Sequence, residues 1–356
     1  MAHCHRRSKI WSMDKPTPQA RSRMPFVVSI LVIASLAILL FRNGESWLRQ
    51  VLVYLSQAAW ARQLISNWSV SWRVASRFVA GTDRNAAIAT TKALNDKGIL
   101  VTLDYLGESC TSEGEALQAR AEILRLLEDI DQHQLNANVS VKPTQLGLKI
   151  DPDLAQEITT DLVEKARSVG NFIRIDMEDH PTTDATLRLY RHLRHNSGLD
   201  NVGVVIQSYL YRSEDDIEKL ISEGARVRLC KGAYAEPADV AFPQKIDVDA
   251  NYLNLSRLLL SPSARAKGVY PAFATHDPAM IDDIKLYVKA NNIPLYSFEF
   301  QMLYGIRRDL QEALVKEGYR VRVYVPYGTA WYPYFVRRLA ERPANLWFFI
   351  SNFLRA

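Results

Sequence analysis

Cysteine is nearly missing from this chain. Its 356 residues contain three, Cys4, Cys110 and Cys230, at no regular spacing, which argues against a disulfide framework and for a reducing compartment. Histidine is also scarce, and the polar ends of the apolar runs offer one His and scattered acids instead of the clustered ligands of a catalytic metal. The His3–Cys4–His5 run has metal-binding chemistry but no partner cluster elsewhere. No G-x-G-x-x-G follows a strand-like run, which weakens a Rossmann reading. Excess charge is small, +5 overall, and much of it sits in the N-terminal arm, where Arg6, Arg7, Lys9, Lys15, Arg21 and Arg23 face only Asp14. The remainder carries no nucleic-acid signature.

Charge is absent altogether from 25–41 (PFVVSILVIASLAILLF), which follows the basic arm 1–24. Seventeen residues are at the short limit for a spanning helix and equally suit a signal anchor. The Lys and Arg bias would leave the N-terminus inside and the following body outside, which conflicts with the reduced cysteines; a start downstream of Met1 is a third reading. The next stretch, 45–97, begins aromatic and basic (WLRQVLVYLSQAAWARQLISNW) and is expected to form amphipathic helices that pack on the body or lie on a lipid surface. Nearly half the residues are apolar and under a quarter charged, so the chain can bury one large core or two ordinary ones.

From Gly98 onward, β-rich runs alternate with amphipathic helical segments. The runs are 99–104, 137–142, 171–176, 202–207, 225–230, 270–276, 295–300 and 320–325. Segments such as EALQARAEILRLLEDIDQH and SEDDIEKLISEG, with acidic first turns or glycine stops, read as helices. Eight β/α alternations predict an α/β fold, a (β/α)8 barrel over 98–345 with a tail at 346–356, and a doubly wound sheet is the alternative. Each run ends in polar side chains: Asp104, Lys142, Asp176, Gln207, Arg228 with Lys231, Thr275 with His276, Glu299 and Tyr324. In a barrel those ends converge at the C-terminal face, where chemistry is built.

A helix expected at 329–342 sets Tyr334, Arg337, Arg338 and Glu341 on one face. That stripe is either a solvated Arg–Glu surface or a pair of guanidinium forks able to hold a carboxylate. Lys142 and Lys231 are candidate Schiff-base nucleophiles, without an evident proton shuttle. The stretch R228-L-C-K-G-A-Y234 offers donors and a glycine, Gly232, for close approach to an organic cofactor.

Several motifs in order resemble proline dehydrogenases of the short monofunctional type: TLDYLGE (102–108), NVSVKPTQLGL (138–148), IDMED (175–179), VIQSYLYR (205–212), VRLCKGAYAE (227–236), ATHD (274–277), FEFQMLYG (298–305) and RVYVPYGTAWYPYFVRRLAERPAN (322–345). The resemblance runs from about Arg77 to Asn345. It implies a distorted (β/α)8 TIM barrel with its last helix over the active site. It also implies oxidation of L-proline to 1-pyrroline-5-carboxylate by hydride transfer to FAD, with electrons passed to a membrane quinone. By the same resemblance, Arg337 and Arg338 hold the substrate carboxylate, Tyr324 and Tyr334 pack on the pyrrolidine ring, and Lys142 and Asp176 line the substrate site. Arg228 is similar to the arginine near flavin N5, making Asp176 and Arg228 the catalytic candidates. Met177, Gln207, Arg228, Lys231, Gly232, Ala233, Thr275 and His276 match FAD-contacting positions.

Two departures stand out. Ala235 occupies a place where larger bifunctional relatives carry Trp, and Cys230 replaces an aliphatic residue and reads as a small core hydrophobe. A quinone acceptor suits a cytoplasmic protein held at the membrane, with 25–41 as the candidate anchor. The alternatives are another flavin barrel, such as a methylenetetrahydrofolate reductase-like protein, and an inactive membrane-tethered binding module.

Overall fold

Eight parallel strands close on themselves in sequence order in the computed structural model, which describes residues 72, 73 and 75–340. The strands are β1 Leu100–Tyr105, β2 Ala137–Val141, β3 Ile173–Ile175, β4 Val202–Gln207, β5 Arg226–Cys230, β6 Tyr270–Ala274, β7 Glu299–Leu303 and β8 Val321–Tyr327. Helix α1 spans Arg84–Asn95, and α2 Glu113–Gln132, α3 Pro152–Ser168 and α4 His180–Arg191 follow the first three strands. The rest are α5 Ser213–Ser222, α6 Lys245–Leu259, α7 Pro262–Ala266, α8 Pro278–Ala290, α9 Arg308–Lys316 and α10 Trp331–Ala340. β8 returns to β1 with Thr102 opposite Tyr324, closing the (β/α)8 barrel and excluding the doubly wound sheet. The basic arm, the apolar segment 25–41, the first part of the helical stretch 45–97, Glu341 and the tail 346–356 lie outside the described residues. Among the described residues no helix is long and apolar enough to cross a membrane.

Side chains that alternate along a strand go to opposite faces, and the two faces here have opposite character. Leu103, Val139, Val141, Ile173, Ile175, Val204, Val227 and Leu229 point outward and are wholly buried against the helices. At about 2 kcal/mol per fully buried aliphatic side chain, this outer shell carries the hydrophobic stabilisation. The inward face is polar. Thr102 donates to Asn138 Oδ1 at 2.6 Å, and Arg322 donates to the same oxygen at 2.9 Å and to Glu299 Oε1 at 2.8 Å. Arg174 reaches across to the Arg226 and Val204 carbonyls at 2.6 and 3.1 Å. Its burial, with Arg228 and Arg322 close by, lowers its pKa to about 9.

One strand differs from the sequence expectation. The run 295–300 divides: Leu295–Ser297 is a 3-10 turn after Pro294, and the strand starts only at Glu299. Phe298 and Phe300 both pack on Phe273, so the aromatic pattern spans turn and strand without marking the border. Glu299 therefore opens β7 at the N-terminal end of the barrel, paired with Arg322, and does not reach the pocket.

Gly203 makes the Arg174 crossing feasible. A Cβ there would lie 2.5 Å from the Arg226 carbonyl oxygen and 2.6 Å from Arg174 Nη1. We expect Gly203→Ala to lower stability by about 1–3 kcal/mol through overpacking, read as a lower Tm; an unchanged Tm would contradict the crowded interior.

Candidate active site

The C-terminal ends of the strands open into a cavity of about 690 Å3. The residues expected to bind substrate or cofactor or to act in catalysis all line it, whereas of the strand-end residues Asp104 lies behind Lys142 and Glu299 does not reach it. The tertiary structure thereby brings together side chains from β2 to β8 and from α10.

One wall is a buried network. Lys142, just past β2, donates to both Asp104 oxygens at 2.7 Å and to Tyr324 Oη at 3.1 Å. Asp176, just past β3, accepts from Ser140 Oγ at 2.7 Å, Arg228 Nη1 at 2.6 Å and Tyr324 Oη at 2.8 Å. Arg228 also donates from Nε to Gln301 Oε1 at 2.5 Å, while its Nη2 is buried with no hydrogen-bond partner among the described residues. The Tyr324 ring lies under two cations, with Arg228 Cζ 5.3 Å and Lys142 Nζ 5.8 Å from its centroid. Burial disfavours the Lys142 charge, yet Asp104, Glu108 and Asp176 together hold its pKa above the usual lysine range. Held in this way, Lys142 is placed as an ion-pair partner of Asp104 and not as the free amine that a Schiff base needs. Asp176 already accepts from three donors.

The opposite end is more open. Lys231 pairs with Asp249 at 2.6 Å and Asp277 at 3.0 Å. Asp277 caps α8 by accepting from Ala279 N at 3.1 Å, and Thr275 Oγ1 accepts from Asp277 N at 3.1 Å. His276 Nε2 accepts the Leu303 N–H at 2.9 Å, which leaves the proton of a neutral ring on Nδ1. Gln207 donates to the Glu178 carbonyl at 2.8 Å, and Met177 and Ala233 complete this lining. Gly232 lines the cavity with φ +119°, and a Cβ there would strike the Tyr209 ring at 2.5 Å, so its own backbone and Tyr209 already require glycine at this position.

Helix α10 forms the third side. Its two arginines are not a solvated stripe: Arg337 pairs with Glu108 Oε1 at 2.6 Å, and Arg338 is buried with its guanidinium 5.0 Å from the buried Tyr334 ring. Glu108 itself was not singled out from the sequence, nor were Gln301, Ser140 and Glu178. Glu108 lies in a loop with no periodicity, and its one signal is an acid three residues past β1 on the reactive face. Among the described residues, no cluster of three or more His, Cys, Asp or Glu is arranged to hold a metal ion.

Glu178 is a buried acid in the cavity wall, accepting from Thr144 N at 2.9 Å and Thr144 Oγ1 at 2.6 Å. Burial pushes it up to about 7, with Glu108 adding to the rise and Thr144 and Lys142 opposing it. The folded protein thus holds this proton more tightly than the unfolded chain. The resulting stability is complete below the ordinary carboxyl range and lost as pH rises through about 7. Between about pH 5 and 8 the Tm of the unsubstituted protein should fall more steeply than that of Glu178→Gln; parallel melting curves would refute the assignment.

Comparisons with known proteins place the chain in a family. A family model described as proline dehydrogenase matches residues 87–350. Proline dehydrogenase 2 of Bacillus subtilis is 43% identical over 300 residues, covering 84% of this chain and 96% of that protein. Proline dehydrogenase of Deinococcus radiodurans is 44% identical over 287 residues, 80% and 91% of the two chains. Among solved structures, proline utilization A from Bdellovibrio bacteriovorus, inactivated by N-propargylglycine, superposes with a TM-score of 0.70 at 27% identity. That match covers 76% of this chain and 32% of the longer one. With the family model and these relatives spanning most of its length, the chain belongs to the proline dehydrogenase family.

Proposed function

We infer that the protein is a proline dehydrogenase that oxidises L-proline to 1-pyrroline-5-carboxylate with FAD as the acceptor. The observation that carries this reading is the convergence of the α10 pair, Arg337 and Arg338, on the cavity lined by Arg228 and Tyr324. Amino-acid recognition and redox chemistry would then share one site.

The lining suits a flavin. A cavity of about 690 Å3 lies within the range of organic-ligand pockets. Arg228 Nη2 is a buried donor that the described residues leave unsatisfied. Lys231, paired with Asp249 and Asp277, is the cation for which a diphosphate would compete. In this reading Met177, Gln207, Arg228, Lys231, Gly232, Ala233, Thr275 and His276 hold the cofactor. When bound, the flavin supplies the two-electron acceptor for the substrate carbon beside nitrogen.

The remaining work falls to side chains. Proline is a zwitterion, so its carboxylate seeks Arg337 and Arg338 and competes with Glu108 for the first of them. Tyr324 and Tyr334 pack on the ring, which fixes its orientation and lowers the barrier by several kcal/mol of prepaid entropy. Lys142 stays charged and holds Tyr324 and Asp104, while Asp176 aligns Arg228, whose fixed cation stabilises negative charge developing beside it. A membrane quinone is the onward acceptor in this reading, and the uncharged segment 25–41 would bring the barrel to it.

The full-length protein should be yellow, and anaerobic proline should bleach it more strongly than hydroxyproline does. A colourless protein that takes up no FAD would leave the binding-module alternative. Arg337→Met, losing a charge-assisted contact, should raise the KM for proline by about 10- to 100-fold while the flavin stays bound; an unchanged KM would refute the clamp.

A further inference from the structure

Glu299, displaced from the pocket by the true start of β7, is joined to it through one side chain. Its Oε1 accepts from Gln301 Nε2 at 2.5 Å, and Gln301 Oε1 accepts from Arg228 Nε at 2.5 Å. All three residues are almost fully buried: Glu299 is 2% exposed, Gln301 4% and Arg228 6%. We propose that Glu299 and Gln301 are positioning residues for the reaction, the Glu299 oxygen setting the Gln301 amide so that its carbonyl end must face Arg228.

The argument is one of donor and acceptor inventory. An amide has one accepting and one donating end, and a carboxylate only accepts. With Glu299 below it, Gln301 turns its NH2 group down and its oxygen up. Arg228 Nε only donates, so it finds its partner in one amide orientation alone. The reversed amide would set two donors against each other between side chains that are almost fully buried, and an unmade buried hydrogen bond is expensive. Arg322 donates to the same Glu299 oxygen at 2.8 Å, and Asp176 and Ser140 hold the other edge of the guanidinium at 2.6 and 3.3 Å. The guanidinium is thereby held by acceptors on both edges, one of which, Gln301, takes its orientation from the floor of the barrel.

This inference rests on the proline dehydrogenase reading, because it assigns Arg228 a task at the flavin. Gln301→Met should lower kcat by about 10- to 100-fold with the proline KM changed less than about twofold and FAD retained. The flavin midpoint potential should fall, since a loosened cation stabilises the reduced ring less. In an Arg228→Met background, adding Gln301→Met should change kcat and potential by less than about twofold, because the residue acts through Arg228. Glu299→Gln keeps an acceptor below Gln301 and should resemble the unsubstituted enzyme, whereas Glu299→Leu should resemble Gln301→Met. If Glu299 served only to balance the Arg322 charge, Glu299→Gln and Glu299→Leu would be equally damaging, and that result overturns the proposal. Should Glu299→Leu fail to fold, Glu299→Leu/Arg322→Leu removes both charges and must still reproduce the Gln301→Met potential. Equal losses from Gln301→Met with and without Arg228 would also overturn it. The potential is measured without substrate, so it judges the link to Arg228 even if proline fails to bleach the flavin. Bleaching of the unsubstituted protein together with an unaltered Gln301→Met enzyme would sink this inference alone.

Discussion

A charge enclosed by a parallel barrel must find its countercharge and its hydrogen bonds inside the barrel. Taking an ion out of water costs several kcal/mol, which only close and well-directed partners offset. The interior meets that demand with a continuous column of side chains. Arg322 and Glu299 form its floor, Gln301 and Arg228 rise from them, and Asp176, Tyr324, Lys142 and Asp104 carry it to the mouth. Removing any member leaves its neighbours with buried groups unpaired.

Such a column is not a source of net stability, since a well-packed apolar filling of similar volume would do as well or better. The shell of Leu, Val and Ile between strands and helices supplies that stability. The polar interior is therefore understood through the cavity it holds. In the reading proposed above, a cation held in place at Arg228 costs little reorganisation when charge develops beside it, and this is where a preorganised site gains most.

The side formed by α10 obeys a different logic. Arg337 reaches the cavity from a helix, and its partner Glu108 stands on a loop where Ser109 adopts a left-handed φ of 56°. Its ion pair stands apart from the column, and Arg338 beside it stacks on the face of Tyr334. The column is built from strand-borne groups, and the arginine pair from a helix laid over the strand ends.

The period-2 runs, the acidic helix starts and the polar residue at each strand end were legible in the amino-acid order, because they follow from local geometry and from burial on one face. That was enough for eight strands, a closed barrel and a pocket containing Lys142, Asp176, Arg228, Tyr324 and the α10 arginines. The start of β7 was not legible, since Phe298 and Phe300 are equally buried in turn and strand. Nor were the partners that Glu108, Gln301, Glu178 and Lys142 find. Those depend on which side chains meet across 34 to 229 positions of chain, and no local pattern encodes such a meeting. The sequence by itself determined the barrel and which residues reach its mouth; only the tertiary structure decided how they pair, because hydrogen bonds and charges act through distance in space and not along the chain.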